Sequence, residues 1–135
     1  MNNMDFSSLV LMEKDKETGF ITKELGSFEV NDGAKYVKKL FVLDGIVNLY
    51  FDTNKDVEEW EYSAVYDLFN IDRFIQEGFE IENDEEEYNP TFILKVSYKE
   101  EREKMKEILD KAVLIIEEEM DNVFVAIEGK EEEYK

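Results

Sequence analysis

Between Asp52 and Val57 the spacing of the apolar residues changes. Before that point they recur at every second position, so that Val47, Leu49 and Phe51 share one face of an extended segment. After it Val57, Trp60, Ala64, Val65, Leu68, Ile71 and Ile75 form one stripe at helical spacing. A chain that obeys the two periods in turn must build both strands and helices. The expectation is a single α+β domain over residues 1–135.

The alternating part reads as four strands. Asp5 to Glu13 alternates Phe6, Ser8, Val10 and Met12 with Ser7, Leu9, Leu11 and Glu13. A turn ending at Gly19 leads into Phe20–Val30, with a bend at Gly26. NDG at 31–33 is a turn signal. Lys35–Leu43 and Ile46–Asp52 flank Asp44-Gly45, a dipeptide suited to two positive φ angles. Residues 1–45 are therefore expected to form an antiparallel β-meander ahead of the remaining unit.

That unit spans 46–128. The stripe through Trp60 predicts a helix that ends near Gly78, with a break around Asn70–Asp72. Phe79–Glu82 reads as a short strand with Phe79 and Ile81 inward, and Thr91–Tyr98 as a longer one. Ser97 and Glu100 have capping-box spacing. Met105, Ile108, Leu109, Ala112, Ile115, Ile116 and Met120 mark a second helix, and Val123–Ile127 reads as an inner strand, apolar on both faces. The order from Ile46 is βαββαβ, the split βαβ or ferredoxin-like pattern, with two main helices on one sheet. Residues 129–135 are expected to be a frayed acidic tail. A fold pattern of this kind carries no activity with it.

Composition narrows the chemistry. Lys and Arg number 16 and Asp and Glu 35, leaving a net charge of −19. Phosphate recognition rests on Lys and Arg, so no direct binding to nucleic acid is expected, nor to an anionic membrane. With 43% apolar residues the chain still has the material for a core, so the charge does not imply disorder. Absence of Cys removes disulfides and thiolate chemistry; absence of His removes the commonest general base and metal ligand. The segment MNNMDFSSLV lacks a basic region followed by a long apolar stretch, and no apolar run approaches the ~20 residues of a membrane span. These features give the expectation of a cytoplasmic protein.

Several clusters could carry function. Asp52, Asn54, Asp56 and Glu58 alternate like calcium ligands. A calcium loop of the EF-hand type needs Gly at its sixth position and Glu at its twelfth, and Val57 and Ser63 stand there instead. The same residues suit a helix start, with Asp56 as N-cap and Glu59 completing a capping box. Asp84, Glu85, Glu86 and Glu87 form an acidic connection that solvates itself or holds a cation weakly. Glu117, Glu118, Glu119 and Asp121 lie at the C-terminal end of a helix, where negative charge costs about 0.3–1 kcal/mol per exposed group. They read as surface charge or as an acidic patch. Tyr62, Tyr66 and Phe69 sit beside the Trp60 stripe and widen the apolar face. Either that helix is buried on two sides, or Trp60, Tyr62, Tyr66 and Phe69 form a partner surface.

No phosphate loop follows a strand, and Arg73 and Arg102 sit outside any motif. The expectation is therefore a protein that is not an enzyme, with no cofactor, no catalytic residue and no metal site. Its function is expected to be binding, regulatory or homo-oligomerising, with a homodimer formed through a sheet edge or the Tyr62/Tyr66 face. The alternative is an acidic nucleic-acid mimic that occupies a basic protein partner, which requires Glu80–Glu87 and Glu117–Asp121 to share one surface.

Overall fold

The structure, a computed structural model, describes residues 7–135. Six strands form one sheet: β1 (Ser7–Lys14), β2 (Ile21–Val30), β3 (Val37–Leu43), β4 (Ile46–Asp52), β5 (Glu80–Asp84) and β6 (Thr91–Ser97). Their order across the sheet is β2-β1-β3-β4-β6-β5. Four helices follow or interrupt them: α1 (Glu59–Leu68), α2 (Asp72–Gln76), α3 (Arg102–Ile127) and α4 (Glu131–Tyr134). The α+β class expected from the two periods is observed. Asp5 and Phe6, placed in the first strand by their alternation, lie outside the described residues.

The Asp44-Gly45 turn forms as its residue types require, with φ of 53° and 79°. It fixes the β3–β4 register, in which Leu40 faces Leu49 and Val42 faces Val47. The first four strands, however, are not a simple meander. β1 pairs antiparallel with β2 and parallel with β3, so β1 lies between the two strands that a meander would join. The chain crosses from β2 to β3 through a 3₁₀ turn at Asp32–Tyr36. Asn31 holds that crossover onto α3: its amide nitrogen donates to the main-chain oxygen and to Oδ1 of Asp110, each at 3.1 Å. The NDG sequence thus serves a docked turn, and a tight hairpin is absent there.

The closing strand at Val123–Ile127 is also absent. α3 runs unbroken for 26 residues, and Val123 and Ile127 continue its buried stripe from Ile116 and Met120. A short apolar run fits either period, and here the neighbouring strands decide. β4 and β5 run in the same direction with β6 antiparallel between them, which is the split βαβ arrangement. The open side of β4, where a last strand would add, is already taken by β3. The final apolar residues therefore stay in the helix, and Val125 is 68% exposed.

Helix limits differ in smaller ways. α1 begins at Glu58, whose N–H donates to Glu61 Oε1 at 2.8 Å, so Asp56 is not the cap. α3 is capped at Glu101, beyond the Ser97–Glu100 pair. The break near Asn70 occurs, and it changes the phase of the stripe. Ile71 and Ile75 turn outward, while Phe69 and Phe74 are buried. Residues 131–134 are not frayed: they form α4 against α1, with the Tyr134 hydroxyl 2.5 Å from Asp67 Oδ2.

The helices contact one another and form a single layer on one face of the sheet. Under them lie Leu9, Leu11, Phe28, Val42, Val47, Leu49, Phe51, Phe92 and Leu94, each in the common core with Phe74, Leu109, Ile116 and Met120. Burial of one aliphatic or aromatic side chain of this kind contributes about 1.5–3 kcal/mol. No helix of the described residues lies on the other face of the sheet.

Candidate functional site

Of the two readings of the aromatic residues along α1, burial holds for Phe69, while Trp60, Tyr62 and Tyr66 are half-buried. Phe69 is 5% exposed and stacks on Phe92 with centroids 4.4 Å apart. Tyr66 packs edge-on to Phe92 and serves as a node for the β5–β6 connection. Its hydroxyl accepts from the Thr91 N–H at 2.9 Å and donates toward the carbonyls of Asp84 and Thr91. Tyr62 is half-buried and its hydroxyl points at the carbonyls of Glu85 and Glu87. Trp60 is half-buried beside Tyr134 of α4. These rings fasten a loop and a terminus to α1.

Tyr66→Phe is expected to cost about 1–3 kcal/mol in urea unfolding at neutral pH, because the Thr91 amide loses its acceptor. Burial also pushes the Tyr66 phenol well above its ordinary range. Tyrosine in an unfolded chain ionises near pH ~10. The folded protein holds this proton to higher pH, so the contribution is full below about pH 10 and falls as pH rises beyond it. Tyr66→Phe should flatten that alkaline fall; a slope equal to that of the parent protein would refute the assignment.

The calcium-like stretch spends its oxygens locally. Asp52 Oδ1 accepts from the Asn54 N–H at 2.7 Å, and Asn54 adopts a φ of 57°. Lys38 Nζ lies 2.7 Å from Asn54 Oδ1 and 3.7 Å from Asp52 Oδ1, so an ammonium sits where a cation would. Asp56 accepts from Asn89. Among the described residues no group of three or more acidic side chains is placed to hold a metal.

The acidic stretches stand on different elements. Asp84, Glu85, Glu86 and Glu87 lie on the β5–β6 connection over Tyr62 and Tyr66. On α3, Glu119 is 4% exposed and meets Arg73 at 3.1 Å, while Glu118 meets Arg73 at 2.6 Å. Asp121 and Glu117 face Tyr36: burial raises that phenol, and their charges raise it further. Glu119 is thus a paired interior group, and the four residues Glu117, Glu118, Glu119 and Asp121 do not form one outward patch. Arg73 finds in Glu118 and Glu119 the partners that its sequence neighbourhood did not reveal.

The helix-free face of the sheet is assembled from residues that no motif links. Pairing register places Lys14, Leu43, Ile46 and Ser97 in one row. The next row holds Met12, Phe41, Asn48 and Lys95, and the one beyond it Lys39, Tyr50 and Ile93. Val10 follows Met12 on the same face of β1, and Ile21 lies opposite Lys14. Val10 is 45% exposed, Ile21 57% and Ile46 37%. Lys14 Nζ lies 4.1 Å above the Phe41 ring and Lys39 Nζ 5.1 Å from the Tyr50 ring. Across these rows the inner strands carry lysines and no carboxylate. The carboxylates of this face stand at its margins: Glu24 and Glu29 on β2, Glu80, Glu82 and Asp84 on β5, and Asp52 at the last position of β4, 3.7 Å from Lys38. One signal for this face was available: the Asp44-Gly45 turn puts Phe41 and Tyr50 on the same side of a hairpin.

Fold and surface together define, over the described residues, a two-layer α+β protein with helices on one side of a mixed sheet and an amphipathic face on the other. No described helix is long and apolar enough to cross a membrane. The chain belongs to DUF6762, a family of unknown function whose model matches residues 4–135. No curated protein and no solved structure matches the chain.

Proposed function

We propose that the protein is a non-catalytic binding module that works through the helix-free face of its sheet. One observation carries the reading: Val10, Ile21 and Ile46 are exposed on a continuous face that no element of the described residues covers. Contiguous exposed apolar surface marks an interaction site more often than scattered apolar residues do. The titratable groups at Tyr66, Arg73 and Tyr134 hold loops, helices and the terminus together. The mimic reading has less behind it, since Glu118 and Glu119 of its second acidic stretch are paired with Arg73.

The test compares capture from a lysate of the source cells by the parent protein, by a Val10→Ser/Ile46→Ser double variant and by Leu114→Ser. Leu114 is 42% exposed on α3, on the helical side. The double variant is expected to lose the captured species about tenfold while Leu114→Ser retains it. Both should keep their unfolding midpoint, since exposed substitutions shift stability by about 0.5 kcal/mol or less. Recovery of the chain itself through this face would make the module a homo-oligomer. Capture that ignores the double variant would defeat the reading.

A further inference from the structure

Resting on that reading of the sheet face, we propose that its occupant is an acidic amphipathic helix, seated along the inner strands between Lys14, Lys39 and Lys95. The first argument is charge placement. Acidic groups outnumber basic ones by 35 to 16 in the chain, yet the centre of this face carries only ammonium groups. Among the described residues Lys14 and Lys39 form no ion pair, and each is seated at an aromatic ring on apolar surface. Lys95 is held 3.5 Å from Glu82 at the rim. A carboxylate arriving over Lys14 or Lys39 meets an unpaired cation with little water to displace, the condition in which such a contact gives specificity.

The second argument is size. Inner strands β1, β3, β4 and β6 span about 14 Å at ordinary strand spacing. That width accepts one helix of about 10–12 Å and not two. Glu24 on one side and Glu80 and Glu82 on the other border the strip, and they repel an acidic surface that is any wider. The apolar side of the helix would rest on Val10, Phe41 and Ile46, and its carboxylates would reach the lysines.

Two other occupants fit less well. A single nucleic-acid strand needs free aromatic faces for its bases, and here lysine ammonium groups cap the Phe41 and Tyr50 rings. A second copy seated face to face would set lysines against lysines.

The experiment uses fluorescence anisotropy with the whole protein and a labelled helical peptide of Leu and Glu. The controls are the same peptide with Lys in place of Glu, and an unlabelled oligothymidylate as competitor. The Leu/Glu peptide is expected to bind, and the Leu/Lys peptide to bind at least about tenfold more weakly. Lys39→Glu should weaken the Leu/Glu peptide by about tenfold, and Lys39→Gln, which keeps the stem over Tyr50, by about threefold. The proposal is overturned if the Leu/Lys peptide binds equally well or if oligothymidylate displaces the Leu/Glu peptide. It is overturned also if the Leu/Glu peptide fails to bind at about 100 μM protein. Should the peptide fail while lysate capture still depends on Val10 and Ile46, the acidic-helix assignment falls and the binding module stands. If neither depends on the face, both fall together.

Discussion

Gly33→Ala is expected to destabilise the protein by about 3 kcal/mol, toward the upper end of overpacking effects. Gly33 lies in the 3₁₀ turn that carries the chain from β2 to β3. A Cβ there would stand 2.8 Å from Val113 Cγ1 and closer still to the Val113 carbonyl oxygen. The side chain could rotate aside, but the carbonyl belongs to the backbone of α3. The turn would have to lift off the helix, and the Asn31–Asp110 hydrogen bonds would lengthen with it. In a thermal melt the loss should read as a fall of about 10 °C. Gly19→Ala supplies the comparison. Its φ is +76° but nothing lies within 4 Å of the added carbon, so only backbone strain of about 1 kcal/mol remains. Equal melting temperatures for the two variants would show that the turn does not press on α3.

Phe92→Ala should be costlier, at about 3–5 kcal/mol. Phe92 is fully buried on β6 and touches three other rings. Centroids lie 4.4 Å from Phe69, 5.3 Å from Phe51 and 5.3 Å from Tyr66. Phe51 and Phe69 carry the contact onward to Phe74 of α2. Truncation at Phe92 opens a void at the junction of β4, β6, α1 and α2. Aromatic pairing adds about 0.5–1.5 kcal/mol per contact beyond area alone. A domain's whole stability is about 5–15 kcal/mol, so this variant approaches unfolding at ordinary temperature. Phe92→Leu keeps most of the volume and should lose about 1–2 kcal/mol, which leaves a measurable folded state. Chemical denaturation of the two variants would test the ring cluster, and similar losses would mean that bulk there matters less than the shape of the ring.

Local features of the fold were legible in the sequence. The β3–β4 hairpin follows from two residues that tolerate positive φ, and the inner face of β4 from its alternation. α3 is legible as far as Met120 because seven apolar residues keep one helical phase. Failures came where a distant partner decides. Val123–Ile127 is apolar enough for a strand, but β3 already occupies the open side of β4. Residues 31–36 look like a tight turn until Asp110 and Val113 are brought beside them. Ile71 and Ile75 join the Trp60 stripe on a continuous helix, and the break at Asn70 rotates them outward. Glu119 reads as surface charge, and only the fold sets Arg73 against it. The candidate site was the least legible part. Lys14, Lys39, Tyr50 and Lys95 become neighbours solely through strand register, and a shift of one residue would have sent each to the opposite face.

The Asn31–Asp110 link spans 79 residues, and it has a consequence for how the chain is made. During translation β1 to β4 emerge well before the helix that covers their inner face. At about 5–20 residues per second, α3 follows several seconds later. For that interval Leu9, Leu11, Phe28, Val42 and Leu49 are apolar surface facing water on strands that are only marginally stable alone. The nascent chain is then at its most adhesive. Residues 1–52 carry nine acidic and six basic residues, and residues 53–101 add fifteen and four, so repulsion between nascent copies builds through that interval. The acidity of this protein thus safeguards its synthesis as well as its finished form, by keeping unfinished copies apart until α3 arrives.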